Sequence, residues 1–142
     1  NKTVNVLKDS LDTEMPQPKI FFKSKTRVLL DPFKYAVEDL SKVSEYIKFS
    51  VNDTELTLSA SGDLSVESTA FNKGDDNTLE HRVEEHVSSV FTNSYLTDTL
   101  KAFKKVSEVV TIELSQDMPI RIEVELAKGS LSFYEAPVIG RN

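Results

Sequence analysis

The segment Lys42-Val43-Ser44-Glu45 recurs as Lys105-Val106-Ser107-Glu108, each time after a stretch of helical periodicity and before one of strand character. The offset is 63 residues (105 − 42), so one supersecondary unit is written twice in the chain. Two copies of a helix-plus-strands unit point to a two-fold architecture with equivalent faces rather than to a single catalytic pocket.

The periodicities around the repeat fill in the unit. Over residues 19–30, Phe22, Val28 and Leu30 share one strand phase, while Lys23, Lys25 and Arg27 share the other. Asp31-Pro32 reads as a helix start, with Asp as N-cap and Pro in the first turn. Phe33, Ala36, Val37 and Leu40 then fall at helical spacing. Residues 46–51 and 55–59 read as strands joined at Asn52-Asp53, and Ser61-Gly62-Asp63 turns the chain into a strand over 64–71. The loop 72–77 precedes a long strand over 79–91, with Val83, Val87 and Phe91 in one phase. The second copy follows: Asn93 or Ser94 caps a helix with the stripe Leu96, Leu100 and Phe103. A strand over 109–114, a turn at Gln116-Asp117, the alternating Ile120, Ile122, Val124 and Leu126, and a last strand with Leu131 and Phe133 complete it. The expected class is α+β: two repeated β-α-β-β-β units, about eight strands, and two helices packed on one face of antiparallel sheet.

Composition narrows the function classes. At 142 residues the chain is long enough to bury a core without help from metals or disulfides, and with no cysteine it has no thiol chemistry. No apolar run approaches the ~20 residues of a bilayer-spanning helix. The first residue is Asn1 rather than Met, which reads as a cut in a longer chain. A net charge of −6 argues against a broad nucleic-acid surface, unless a basic face is concealed in the acidic average. One candidate face exists. Lys101, Lys104 and Lys105 lie within about 100° of one another on the second helix, away from its apolar stripe, with Asp98 as the acid on that helix. The first helix is mixed, with Lys34 and Lys42 offset by Asp31, Glu38 and Asp39.

Catalytic patterns are weak. His81 and His86 sit in Glu80-His-Arg-Val-Glu-Glu-His, but five residues apart on a strand they point to opposite faces, so a solvated strand edge explains them better than a metal. Asp75-Asp76 lacks the further oxygens of a calcium loop. There is no Gly-x-Ser-x-Gly, and neither histidine has a triad partner. No cofactor, metal or catalytic residue is expected. The tail Phe133-Tyr134-Glu135-Ala136-Pro137-Val138-Ile139 stays apolar beyond the last strand and, next to Met118-Pro119, reads as an exposed notch for a peptide side chain.

Ser94-Tyr95-Leu96, the stretch Glu113 to Glu123 with Asp117-Met118-Pro119, Ser59-Ala60-Ser61-Gly62-Asp63, and the closing Ala136-Pro137-x-Ile139 resemble the C-terminal domain of sliding DNA clamps of the proliferating-cell-nuclear-antigen family, especially archaeal members. The resemblance implies the DNA-clamp fold, a non-enzymatic role as polymerase processivity factor, and a trimeric ring around duplex DNA with helices lining the hole. It implies that residues 1–18 hold the end strand of a first domain (Thr3 to Leu7) plus the interdomain connecting loop, and that residues 19–142 form the C-terminal clamp domain. Partner peptides of the Gln-x-x-aliphatic-x-x-aromatic-aromatic type, from DNA polymerase, flap nuclease, ligase and clamp loader, would dock on Met15, Ile20, Met118, Pro119, Tyr134, Ala136, Pro137 and Ile139. DNA would face Lys101, Lys104, Lys105 and Lys34, and the subunit contact would use Leu40, Val43, Ser65, Val66 and Ser68. The implied location is the cytoplasm at the nucleoid, or the nucleus in a eukaryote. Departures are Tyr35 and Glu38 on the first helix, where eukaryotic members are more basic, and Thr57 in place of a modified lysine. Two rivals stand beside this reading: a checkpoint-type clamp subunit, and a small enzyme using His81 or His86.

Overall fold

Alternation of apolar and polar residues sets the strands in the computed structural model, which describes residues 21–140. In chain order they are β1 (Ser24–Leu29), α1 (Leu30–Ser41), β2 (Tyr46–Val51), β3 (Glu55–Ser61), β4 (Val66–Asn72), β5 (Thr78–Val83), β6 (Val87–Thr92), α2 (Ser94–Lys104), β7 (Val109–Leu114), β8 (Ile120–Glu125) and β9 (Ser130–Glu135). On β2 and β3 every second residue is buried: Ile47, Phe49 and Val51, then Leu56, Leu58 and Ala60. This is the period-two pattern of strands with one face on the core.

The repeat is β1-α1-β2-β3-β4 followed by β6-α2-β7-β8-β9, with β5 outside it. The strands form two antiparallel sheets, ordered β5-β1-β7-β8-β9 and β4-β3-β2-β6. Each unit therefore keeps its three-stranded meander and lends its first strand to the other unit's sheet. The registers obey the two-fold relation. Ser24 faces Leu114 and Leu29 faces Val109 on β1 and β7, while Val87 faces Val51 and Thr92 faces Tyr46 on β6 and β2. Adding 63 to the first partner and subtracting 63 from the second converts one ladder into the other.

The helices follow the same symmetry. The Leu30 amide donates to the Glu108 carbonyl at 2.8 Å, and the Asn93 amide donates to the Glu45 carbonyl at 3.0 Å. Each helix start is thus tied to the segment that leaves the other helix, so α1 and α2 lie side by side and antiparallel. Their buried stripes match at the 63-residue offset: Phe33 with Leu96, Val37 with Leu100, Leu40 with Phe103. One continuous core results, in which Phe33, Phe49, Phe71 and Phe91 form a chain of tilted and edge-on ring contacts with centroids 5.5–6.3 Å apart.

Several sequence expectations need correction. The α+β class and the paired helices stand, but the sheet is two sheets, because the units exchange strands. The single strand expected over 79–91 breaks at Glu84-Glu85-His86, since β5 and β6 belong to different sheets and the chain must turn between them. The amides of Glu84 and Glu85 both donate to the Lys23 carbonyl there. Asp31 is not the N-cap: α1 begins at Leu30 after Leu29, and Asp31 stands in the first turn. Pro32 is tolerated because first-turn amides have no intrahelical acceptor. Asn93 does occupy the cap position of α2, but its side-chain amide donates to the Ser44 carbonyl at 2.6 Å instead of capping. Gly62 lies against the end of α1; a Cβ there would stand 3.0 Å from the Val43 carbonyl oxygen, so a larger residue needs that backbone to give by a few tenths of an ångström.

His81 is the largest correction. It is not on a solvated edge: it is buried opposite Thr26, with Nδ1 2.9 Å from the Thr26 hydroxyl and Nε2 2.8 Å from the Asn52 carbonyl. A carbonyl can only accept, so Nε2 carries the proton and Nδ1 accepts from Thr26. The imidazole bridges β1 of one sheet to the β2–β3 turn of the other. His86 is exposed in the break after β5, 3.6 Å from Asp53. His81→Ala is expected to lower the unfolding free energy by about 1–3 kcal/mol, because the buried Thr26 hydroxyl and the Asn52 carbonyl lose their bonds. His86→Ala is expected to leave it within about 0.5 kcal/mol. Urea denaturation of both variants measures the contrast, and equal stability of the two would overturn this role for His81.

Candidate partner-docking notch, helix face and open edges

On the helix pair the lysines divide by geometry. Lys104 reaches across from α2 to Asp31 of α1 at 3.0 Å and down to Glu108 at 2.9 Å. Hydrogen bonds to Glu108, then Asp31, hold its ammonium above the ordinary lysine range. Lys34 pairs with Glu38 at 3.1 Å and lies over the Tyr35 ring at 5.0 Å. Lys42, the twin of Lys105, stands 3.8 Å from Asp39. Lys101 and Lys105 are exposed and form no ion pair among the described residues. The grouping of four lysines expected from sequence is therefore two bound cations, Lys34 and Lys104, and two unencumbered ones.

At the other end of the fold the C-terminal segment meets the turn after β7. Ile120 faces Glu135 at the end of the β8–β9 ladder, where Met118-Pro119 leads into one strand and Ala136-Pro137 leaves the other. Asp117 adopts a left-handed conformation, φ 59°, and its amide donates to the Ser89 hydroxyl at 3.2 Å. The Gln116 side chain grips Ser88, and the Val138 amide donates to the Val90 carbonyl at 2.8 Å. Turn, tail and β6 thus enclose one corner. Around it Met118, Tyr134 and Ile139 are 41%, 38% and 70% exposed. Met15 and Ile20 lie outside the described residues. The chain comes in at the same corner: the Lys23 amide donates to the Ser115 hydroxyl at 2.9 Å, and Phe21 is exposed.

Two charged residues at this corner escaped the sequence reading. Arg121 lies over the Phe22 ring at 5.2 Å and bonds Glu113. Burial works against its charge, but hydrogen bonds to Tyr134 and Glu113 outweigh it and raise its pKa. Tyr134 is thereby fixed in place by Arg121. The opposite-charge facing of Glu113 and Arg121 across β7 and β8 was the available signal. Glu135 points inward from β9; burial raises its pKa, opposed by hydrogen bonding from Thr92.

The last element is the free edge of β4. Leu64 and Val66 are 100% and 72% exposed, with Ser65 and Ser68 exposed around them. A shallow groove of about 550 Å³ lies behind them, lined by Asp39, Lys42, Val43, Gly62 and Ser65 among others. Leu40 does not reach it: at 2% exposure it is core, because it belongs to the stripe under α1. Among the described residues no cluster of three metal-ligating side chains occurs, and no helix is long and apolar enough to cross a membrane.

Comparison with known proteins places the fold. Residues 18–139 match the family model "Proliferating cell nuclear antigen, C-terminal domain". The DNA polymerase sliding clamp 1 of Pyrobaculum aerophilum is 31% identical over 125 residues, covering 87% of this chain and 50% of that protein. The DNA polymerase sliding clamp of Pyrococcus abyssi is 33% identical over 130 residues, covering 91% and 52%. The crystal structure of the antigen from Thermococcus kodakaraensis superposes with a TM-score of 0.79 at 26% identity, over 92% of this chain and 53% of that one. The chain spans about half the length of the curated relatives it matches. It belongs to the proliferating-cell-nuclear-antigen family of sliding clamps, in the part described by that family's C-terminal domain.

Proposed function

We propose that this chain acts as the C-terminal half of a sliding-clamp subunit, one segment of a ring that encircles duplex DNA and holds replication and repair proteins to it. Residues 1–18 then carry the last strand of a preceding domain and the connecting loop. The observation that carries the proposal is the pair of open edges, β4 and β9, at the far ends of the two sheets. They are twin strands of the repeat, each ending a three-stranded meander. A unit with equivalent free edges on two sides extends by pairing a neighbour at each, and closure of that head-to-tail chain makes a ring. Leu64, Ser65, Val66, Ser68 and Val43 form the subunit contact on the β4 side. No reaction is required of the ring, which retains its clients by topology and effective concentration. Its place is on chromosomal DNA, at the nucleoid or in a nucleus.

The helix face suits sliding. Lys101 and Lys105 supply weak, sequence-independent attraction to phosphates, while Lys34 and Lys104 are spent on carboxylates within the helix pair. The notch of Met118, Pro119, Tyr134, Ala136, Pro137 and Ile139, completed by Met15 and Ile20, receives the aliphatic and aromatic anchors of a client peptide. Polymerase, flap nuclease, ligase and clamp loader are the client classes.

Three outcomes test the proposal. A fluorescent peptide with the glutamine, aliphatic and paired-aromatic pattern is expected to bind, and Tyr134→Ala to weaken it about tenfold, the effect of losing one aromatic anchor; unchanged affinity removes Tyr134 from the site. Charge reversal at both Lys101 and Lys105 is expected to cut duplex-DNA affinity at low salt by roughly three- to tenfold, while Lys34→Ala changes it less than about twofold, since few phosphate contacts are involved. Equal effects would contradict the division of lysines. Val66→Lys is expected to reduce self-association or pairing with a first domain in sedimentation velocity, because charge blunts a strand edge; unaltered association would place the subunit contact elsewhere.

A further inference from the structure

The two units differ on their last strands, at a position that is core in the first. The turn after β7 is longer than its counterpart after β2, so the offset beyond it becomes 64 residues: Leu56 faces Phe71 in the first unit, and Ile120 faces Glu135 in the second (120 − 56, 135 − 71). Phe71 is buried with its ring 5.9 Å from Phe33. Its twin is a carboxylate. The twin of Leu29, at 63 residues, is Thr92, and its hydroxyl donates to Glu135 Oε2 at 2.8 Å.

The strands around this pair are unequal as well. β1 is flanked by β5 and β7, whereas its twin β6 has β2 on one side and no strand on the other. The open side of β6 is covered at alternate residues by three devices that are not a strand. The Gln116 side chain accepts from the Ser88 amide at 2.9 Å and donates to the Ser88 carbonyl at 2.8 Å. The Val138 amide donates to Val90, and Thr92 is held by Glu135. Of these, Glu135 carries an electrostatic cost, because its Oε1 is buried with no hydrogen-bond partner among the described residues.

We propose that Glu135 is a charge-controlled latch that fastens residues 136–139 over the open side of β6: neutral, it holds the segment firmly; ionised, it tends to pull out toward water and loosen it. Burying a carboxylate with one unsatisfied oxygen penalises the charged form, and only the bonds from Thr92 offset this. On the surrounding elements the same-face neighbours are Ile120 and Ile122 of β8, Phe133 of β9 and Val90 of β6. Arg121 and Tyr134 point to the opposite face of their strands, and Tyr46 faces Thr92 across the β2–β6 ladder. Lys48 faces Val90 in that ladder, but among the described residues neither it nor any other cation forms an ion pair with Glu135. The sign follows. Burial raises the folded-state pKa above 4.5, so the folded state keeps its proton longer than the unfolded chain, and stability falls as pH rises from 4.5 through the folded value. Because the latch carries the backbone of Ala136, Pro137 and Ile139, it sets how firmly the notch is framed. It does not depend on the docking proposal, since its readout is within this chain.

The test is NMR on the protein as it stands. The Glu135 carboxyl carbon is expected to titrate above 4.5, and the protection factor of the Val138 amide, corrected for intrinsic exchange, to fall several-fold as pH rises from 4.5 through that carboxyl midpoint. Glu135→Gln is expected to abolish that fall and keep Val138 protected throughout, while Thr92→Val lowers protection at both ends. Glu135 titrating at or below 4.5 would overturn the latch. So would a Glu135→Gln protein whose Val138 protection falls with pH as steeply as in the parent, and the direct titration decides the matter should either variant fail to fold.

Discussion

The structure depends on the exchange of first strands between the two repeat units. Neither unit closes alone: β1 finds its partner in β7, and β6 finds its partner in β2. A three-stranded meander with one helix exposes too much apolar surface to be stable, so the exchange makes the two units one cooperative core. It also places the helices. Each helix start hangs from the other unit's helix exit through a main-chain bond, which leaves α1 and α2 no arrangement other than antiparallel and adjacent. The features with functional meaning follow from that: one helix face, two sheets turned away from it, and an open strand at the end of each meander.

Once the helices are adjacent, their charges are no longer independent. Lys104 is drawn into a bridge between Asp31 of one helix and Glu108 beyond the other, and at that exposure the bridge orients more than it stabilises. Its twin position carries Ser41, and Asp31 has the twin Ser94, so the opposite end of the helix pair has no such bridge. The outward face is left nearly neutral, with Lys101 and Lys105 against Asp98, and Lys42 beside Asp39. An acidic chain with a faintly positive helix face is electrostatically fit for loose contact with a polyanion and unfit for tight binding.

Much of this was legible in the residues. The repeat announced the two units, and the helical stripes Phe33/Val37/Leu40 and Leu96/Leu100/Phe103 were found at the right spacing. The apolar tail and Met118-Pro119, far apart in sequence, do converge at one corner. What stayed hidden depended on partners far along the chain. Periodicity could not reveal that residues 79–91 serve two sheets, since both halves look like strand. Asp31 has an ideal cap composition, but the strand-to-helix junction began one residue earlier and Lys104 claimed its carboxylate. His81 looked solvated because its neighbours Glu80 and Arg82 are charged, yet strand alternation turns those two outward and the imidazole inward to Thr26 and Asn52.

Symmetry that fails at this pair is informative, because the strand register there is kept while the side chains differ. At Phe71 the first unit fills its end of the core with an aromatic ring. At Glu135 the second unit puts a carboxylate in the corresponding place and leaves one of its oxygens without a donor. The facing strand β8 follows the apolar rule, with Ile120, Ile122 and Val124 buried where Leu56, Leu58 and Ala60 are. Poor core formation is therefore not the general character of this half. The cost is local, and it falls beside β6, which has no strand on the side where its twin β1 has β5. An apolar residue there would seal the segment after β9 irrespective of conditions. A carboxylate instead ties its attachment to proton concentration, at the corner where Met118, Tyr134 and Ile139 stand exposed.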